Sequence, residues 1–252
     1  TIKSCSKIIS TLKSFIVAEI ASNWEGSLSK ATKLIQESKN AGANAVKFQM
    51  WRADDLYNKK HPSWKFIKKS EITFEKAKKL KKIADKVGIE FFCSAFYPDA
   101  IEFLEKLKVK RYKIASRTCL LKDPYSLETL QEKALTKKPV IISMGMGGNR
   151  KKIESIFSKN QKTFCYCISE YPTDISKIDW KNAIKFDGFS DHTLGITASI
   201  IFAVLKKQQK SKNIIIEKHV KLNNSRGPDA SSSIDTEELS ELVNGIHQIE
   251  KL

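Results

Sequence analysis

Eight times in 252 residues a short apolar or β-branched run gives way to an amphipathic helical pattern, and that alternation leaves few folds open. Runs repeated in this way pair in parallel, with a helix crossing over between each strand and the next. The predicted strands are Phe15–Ile20, Ala45–Met50, Glu90–Ala95, Arg111–Ala115, Pro139–Ser143, Thr163–Ile168, Phe186–Ser190 and Ile214–His219. An open doubly wound sheet tolerates the same pattern. Eight units in unbroken series favour closure into a (β/α)8 TIM barrel, an α/β fold for which about 250 residues make a single domain. No Pro-, Gly- or Ser-rich linker divides the chain, and residues 1–14 read as a short N-terminal extension.

The helices carry their own start and stop signals. Between Ser27 and Ala41, apolar Leu28, Ala31, Leu34 and Ile35 recur at helical spacing, and Gly42 stands where a left-handed residue ends a helix. Thr73 is a candidate N-cap for the helix bearing Ala77, Ile83, Ala84 and Val87, which Gly88 stops. Further helical patterns cover Asp99 to Lys108, Tyr125–Leu135, Lys151–Ser158, a stretch within Ile175–Ile184, Ile196–Lys207 and Thr236–Leu252. Trp51–Lys69 reads as a long loop suited to a lid, and Asn223–Ser233 as a second long loop. The stretch after the first strand, AEIASNWEG, is not a GxGxxG fingerprint, and there is no Walker loop, which argues against a nucleotide-binding fold.

A formal charge of +17 raises the question of a nucleic-acid partner, but its distribution speaks against one. All of the 45 basic residues except Arg52, Arg111, Arg117, Arg150 and Arg226 are lysines, scattered along helix faces as at Lys76, Lys78, Lys79, Lys81 and Lys82. No nucleic-acid motif accompanies them, so the expectation is a solvated surface whose field draws in small anions. No apolar run nears the roughly 18 residues of a membrane span. The N-terminal stretch is broken by Lys3, Lys7 and Lys13 and lacks the apolar core of a signal peptide. Cys5, Cys93, Cys119, Cys165 and Cys167 form no CxxC pair, and their odd count fits a reducing, cytoplasmic location. Cys165 and Cys167, two apart in a strand, share a face.

In a closed barrel the site is built where strands end. The polar residues there are Glu19 and Asn23, then Lys47 and Gln49, which share a face, then Ser94, Lys113, Ser116 and Ser143. Later strands add Ser169 and Tyr171, then Ser190, Asp191 and His192, then Glu217 and His219, and the last long loop adds Asp229 and Ser233. Two imidazoles on neighbouring strand ends can hold one open-sided divalent ion, although either alone reads equally well as a hydrogen-bonded strand cap. Two lysines aimed into one barrel need partners. Either Lys47 and Lys113 pair internally with Glu19, Asp191 or Glu217, or they grip a phosphate or carboxylate with help from Ser116 and Ser190. A phosphorylated, carboxylated small molecule together with a divalent ion meets these demands.

Eight stretches in order along the chain resemble the sialic acid synthase family: AEIASNWEG (18–26), AGANAVKFQ (41–49), YKIAS (112–116), SMGM (143–146), YPT (171–173), FSDHTLG (189–195), IEKH (216–219) and GPDASSS (227–233). The resemblance implies condensation of phosphoenolpyruvate with N-acetylmannosamine or a related sugar. It further implies a divalent metal, commonly manganese with magnesium or cobalt as alternatives, on His192 and His219. Phosphoenolpyruvate contacts carry over to Lys47, Lys113, Ser116 and Ser190, and sugar contacts to Gln49, Tyr171 and Asp229. Glu19 falls near the metal and the aldehyde, and a homodimer is implied by the same analogy.

Several positions depart from the family pattern. Trp24 stands where a histidine is usual, and Thr118 where a glutamate is. Tyr166 and Ser169 alter the sixth-strand motif HCTNxYP, Ala230 replaces a histidine after GPD, and the antifreeze-like domain common in the family is expected to be missing. Metal and phosphoenolpyruvate positions are kept while sugar-side positions vary. Two other readings stay open: a metal-independent Schiff-base aldolase acting through Lys47 or Lys113, and a non-catalytic sugar-phosphate-binding paralogue.

Overall fold

A computed structural model describes residues 12–252, so Lys3, Lys7, Cys5 and most of the expected N-terminal extension lie outside the described residues. Eight parallel strands close in sequence order into a barrel. They are β1 (Lys13–Glu19), β2 (Ala45–Met50), β3 (Glu90–Ala95), β4 (Tyr112–Ile114), β5 (Val140–Ser143), β6 (Lys162–Cys167), β7 (Gly188–Asp191) and β8 (Asn213–His219). Closure runs through an unbroken register from Lys13 beside Asn213 to Glu19 beside His219. The first strand therefore begins two residues before the expected Phe15.

The outer ring is formed by α1 (Leu28–Asn40), α4 (Phe74–Val87), α5 (Pro98–Lys106), α6 (Ser126–Leu135), α7 (Arg150–Ile156), α9 (Thr197–Gln208) and α10 (Thr236–Lys251). Their signals work as expected. The Ser27 and Thr73 side chains accept from the backbone N–H groups of Lys30 and Lys76, satisfying donors that a helix start leaves unpaired. Gly88 ends α4 at φ 72°, a left-handed conformation that costs glycine nothing.

Two stretches differ from expectation. Ile175–Ile184 holds a 3-10 turn at Ile175–Lys177 and the single turn α8 (Trp180–Ala183) rather than one helix. Trp51–Lys69 is not an irregular loop: it contains α2 (Ala53–Leu56) and α3 (Trp64–Lys69). Trp51, Ala53, Ile67 and Phe96 give it a small apolar cluster apart from the main core. No helix among the described residues is long and apolar enough to cross a membrane. The four described cysteines form no disulfide.

Candidate functional site

Strand alternation builds the site. Val17, Ala45, Phe92, Ile141, Cys165 and Ile215 make an apolar plug inside the barrel. Two residues further along each strand the same face turns polar, giving Glu19, Lys47, Ser94, Ser143, Cys167 and Glu217. The register sets Glu19 beside Lys47, Ser94 beside Lys113, and Ser190 beside both Cys167 and Glu217. Lys47, Lys113, Ser116, Ser190, His192 and His219 all line one cleft at the strand C-termini, with about 320 Å³ of empty space, together with Gln49 and Tyr171. A larger cavity at the strand N-termini, between Lys13, Arg111 and Lys162, shares no residue with this cleft.

Glu217 is the hub of the polar layer. Its Oε1 accepts from Lys113 Nζ at 2.9 Å and from Ser190 Oγ at 2.7 Å, and its Oε2 lies 3.5 Å from Lys47 Nζ. Lys47 also pairs with Glu19 and donates to Ser94 Oγ at 3.3 Å. Lys113 donates to Ser143 Oγ at 2.7 Å, and Gln49 Nε2 to Glu19 Oε1 at 2.9 Å. Both lysines are thus internally paired, with Glu19 and Glu217 and not with Asp191, and both still face the cleft. Burial works against the charge on Lys113, yet Glu217 holds its ammonium above the usual lysine range. Burial likewise opposes the charge on Glu217, and Lys113 and Lys47 outweigh it, keeping the carboxylate well below its ordinary range.

Glu19 goes the other way. Burial pushes its carboxyl up to about 7, with Lys47 pulling down and Glu217 pushing up. The folded state therefore keeps a proton that the unfolded chain loses near its ordinary value of 4.5. The resulting stabilisation is complete below that value and is lost as the pH rises to about 7. Glu19→Gln removes this dependence. Its unfolding free energy, measured by denaturant titration, is expected to gain on wild type between pH 4.5 and 7 by on the order of 3 kcal/mol. A difference that stays flat across that window contradicts the assignment.

The two imidazole centroids lie 5.5 Å apart with planes at 51°. Tyr171 packs on His192 at 4.2 Å and presents an edge to His219 at 6.0 Å. His192 Nδ1 donates to the Ile168 carbonyl at 2.7 Å. Burial lowers the pKa of the ring, but Cys167 beside it and the Ile168 carbonyl outweigh that and hold it above the usual histidine range. Its Nε2 therefore offers a lone pair only once its proton is lost. Burial pushes His219 down to about 3, aided by His192 and Lys47 and opposed by Asp229, so its ring is neutral. Its Nδ1 is buried without a hydrogen-bond partner. A neutral imidazole with an unengaged nitrogen is what a divalent ion requires. Among the described residues no three His, Cys, Asp or Glu side chains cluster at ligand spacing. Two imidazoles are one ligand short of the usual three in a catalytic zinc site, so an ion held here would take its other positions from water or substrate.

The remaining expected residues fall into three positions. Ser116 Oγ accepts from Gly145 N at 3.0 Å, and Ser169 Oγ sits 4.0 Å from Cys167 Sγ at the edge of the layer. Asp229 accepts from both the amide and the hydroxyl of Ser22. Ser233 Oγ donates to the Asp229 carbonyl at 2.6 Å and accepts from Asn23 Nδ2 at 2.8 Å. These two residues tie the last long loop to the loop after β1, and the charge of Asp229 still reaches His219. Asp191 is a correction: it lies behind the barrel wall, bonded to Thr193 and to Ser199 of α9. Consecutive residues of a strand face opposite ways, so Ser190 and Asp191 cannot both look inward.

Glu217, Ser143 and Cys167 were not singled out as substrate contacts from sequence, yet all three line the cleft. The signal was present: Ile215, Glu217 and His219 alternate on one face, as do Cys165 and Cys167. Of the expected departures, Trp24 is fully buried and Thr118 opens a short 3-10 turn.

Comparisons with known proteins agree with the barrel fold. A family model described as the NeuB family matches residues 34–252. The chain is 35% identical over 252 residues to an uncharacterised protein of Methanocaldococcus jannaschii, covering 94% of this chain and 71% of that one. It is 32% identical over 272 residues to the N,N'-diacetyllegionaminic acid synthase of Legionella pneumophila, covering 96% and 73%. A solved structure of the N-acetylneuraminic acid synthetase of Leptospira borgpetersenii, in complex with citrate, superposes with a TM-score of 0.83 at 27% identity, over 94% of this chain and 84% of that chain.

Proposed function

The chain belongs to the NeuB family, and from that premise we propose that it condenses phosphoenolpyruvate with an open-chain aldose, N-acetylmannosamine or a related sugar, to give a nonulosonic (sialic-type) acid and phosphate. The observation that carries this reading is the meeting of two ammonium groups and two imidazoles in one cleft. Lys47, Lys113, Ser116 and Ser190 hold the donor's phosphate and carboxylate, with Lys113 kept charged by Glu217. Gln49, Tyr171 and Asp229 hold the sugar. His192 and His219 would hold a divalent ion, manganese first among the candidates, which when bound supplies Lewis-acid polarisation of the aldehyde. Carbon 3 of the enol attacks the aldehyde carbon, water adds at carbon 2, and the tetrahedral adduct expels phosphate. Glu19, balanced between protonated and ionised near neutral pH and held behind the cleft-lining Gln49 and Lys47, would supply the proton for the new hydroxyl oxygen.

A Schiff-base aldolase needs a neutral amine, and two observations weigh against one. Lys113 is held as an ammonium by an ionised partner, and Lys47 is buried against both Glu19 and Glu217. Burial pushes Lys133 down to about 7, but it is fully enclosed and donates to the Ala95 and Lys113 carbonyls. The test is phosphate release from phosphoenolpyruvate over a panel of aldoses, with manganese and with chelator. Release is expected with at least one aldose, stopped by chelator and restored by metal. Binding of phosphoenolpyruvate without release for any aldose would identify a non-catalytic paralogue. Borohydride trapping of pyruvate would identify an aldolase.

A further inference from the structure

Asp191 and Lys218 are left without a task by the chemistry above, yet each directly precedes one of the two histidines. Because residues alternate along a strand, a histidine that faces the cleft sends its predecessor through the wall to the helical side. Asp191 and Lys218 are register partners across β7 and β8, so the two outward charges meet. Asp191 Oδ2 lies 3.2 Å from Lys218 Nζ, and both side chains are 0% exposed.

The pair also grips the loop that carries His192. Asp191 Oδ1 accepts from the Thr193 amide and hydroxyl, both at 2.8 Å, and Oδ2 accepts from Ser199 Oγ on α9 at 2.6 Å. Lys218 Nζ donates to the Thr193 carbonyl at 2.5 Å. The backbone on both sides of His192 is thereby tied to the residue before His219. Main-chain bonds finish the clamp: the His192 carbonyl accepts from Thr173 N and the His219 carbonyl from Ile234 N, each at 2.9 Å.

A fully buried ion pair is a poor source of stability, since well-packed apolar residues often serve as well. What it supplies is a fixed geometry. We propose that Asp191 and Lys218 form a positioning pair that holds the imidazoles of His192 and His219 at the separation one ion requires, before any ion arrives. The proposal rests on the metal reading of those two histidines. Ligand pairs held in place by outer contacts bind tighter than loose ones, and loss of such contacts costs about 10- to 100-fold in metal affinity.

The test uses the full chain stripped of metal and titrated with cobalt(II) alone, following the visible ligand-field absorption. Asp191→Asn/Lys218→Met removes both charges together and so avoids stranding either one. It is expected to weaken cobalt binding at least about 10-fold and to alter the band shape, while phosphoenolpyruvate affinity by calorimetry stays within about twofold. Lys218→Arg, which keeps a cation and donors, is expected to retain cobalt affinity within about threefold. If the double variant does not fold, Ser199→Ala removes one hydrogen bond only and is expected to loosen cobalt several-fold. Wild-type cobalt affinity in the folded double variant, or in Ser199→Ala, overturns the proposal whatever the melting temperature does. A wild type that takes up no cobalt fails one step earlier and removes the metal reading itself.

Discussion

Replacing His219 by alanine is expected to leave a folded protein that retains no divalent metal and releases phosphate from phosphoenolpyruvate at least about 10³-fold more slowly than wild type. The size follows from the role. Lewis-acid stabilisation of a developing alkoxide is worth several kcal/mol, and each 1.36 kcal/mol is about a decade in rate. The stability cost should be small, no more than about 2 kcal/mol, because the ring is neutral and its Nδ1 is already buried without a partner. His192→Ala should lose metal equally but cost more stability, since it also deletes the bond to the Ile168 carbonyl and the packing against Tyr171. Elemental analysis after dialysis, set beside denaturant unfolding, checks both variants. Unchanged metal content in either one contradicts the ligand assignment.

The barrel was legible because its signal is repeated and local. Each strand needs only a short apolar run and each helix one apolar stripe, and caps such as Thr73 and Gly88 state their geometry in the residue itself. The exceptions are short elements whose packing is decided elsewhere. Residues 53–56 and 64–69 became helical turns because Trp51, Ile67 and Phe96 cluster on one another, a contact between segments far apart in sequence. In the site, alternation sufficed to set Lys47 and Gln49, or Ser190 and His192, on the cleft. The same rule, applied strictly, would have turned Asp191 outward. No local rule shows which partner a buried lysine takes: Lys113 finds Glu217, 104 residues away, because barrel closure brings β8 across from β4. Internal pairing and anion grip are not exclusive alternatives, since both buried lysines are paired with carboxylates and also line the cleft.

That overlap motivates the remaining prediction, in which two roles of one residue are pulled apart. Lys113→Met removes an ammonium from a buried carboxylate, and breaking a buried pair on one side costs about 3–5 kcal/mol. Glu217 keeps the Ser190 hydroxyl at 2.7 Å and Lys47 at 3.5 Å, so the lower end of that range is expected. Phosphoenolpyruvate affinity should fall about 10²-fold or more, the usual consequence of deleting one member of a buried charged contact. Adding Glu217→Gln then neutralises the stranded carboxylate. The double variant is expected to recover most of the lost stability in denaturant unfolding and none of the phosphoenolpyruvate binding in calorimetry. If binding returned along with stability, Lys113 would be a counter-ion to Glu217 and nothing more, and the anion-gripping role given to it would have to pass to Lys47 alone.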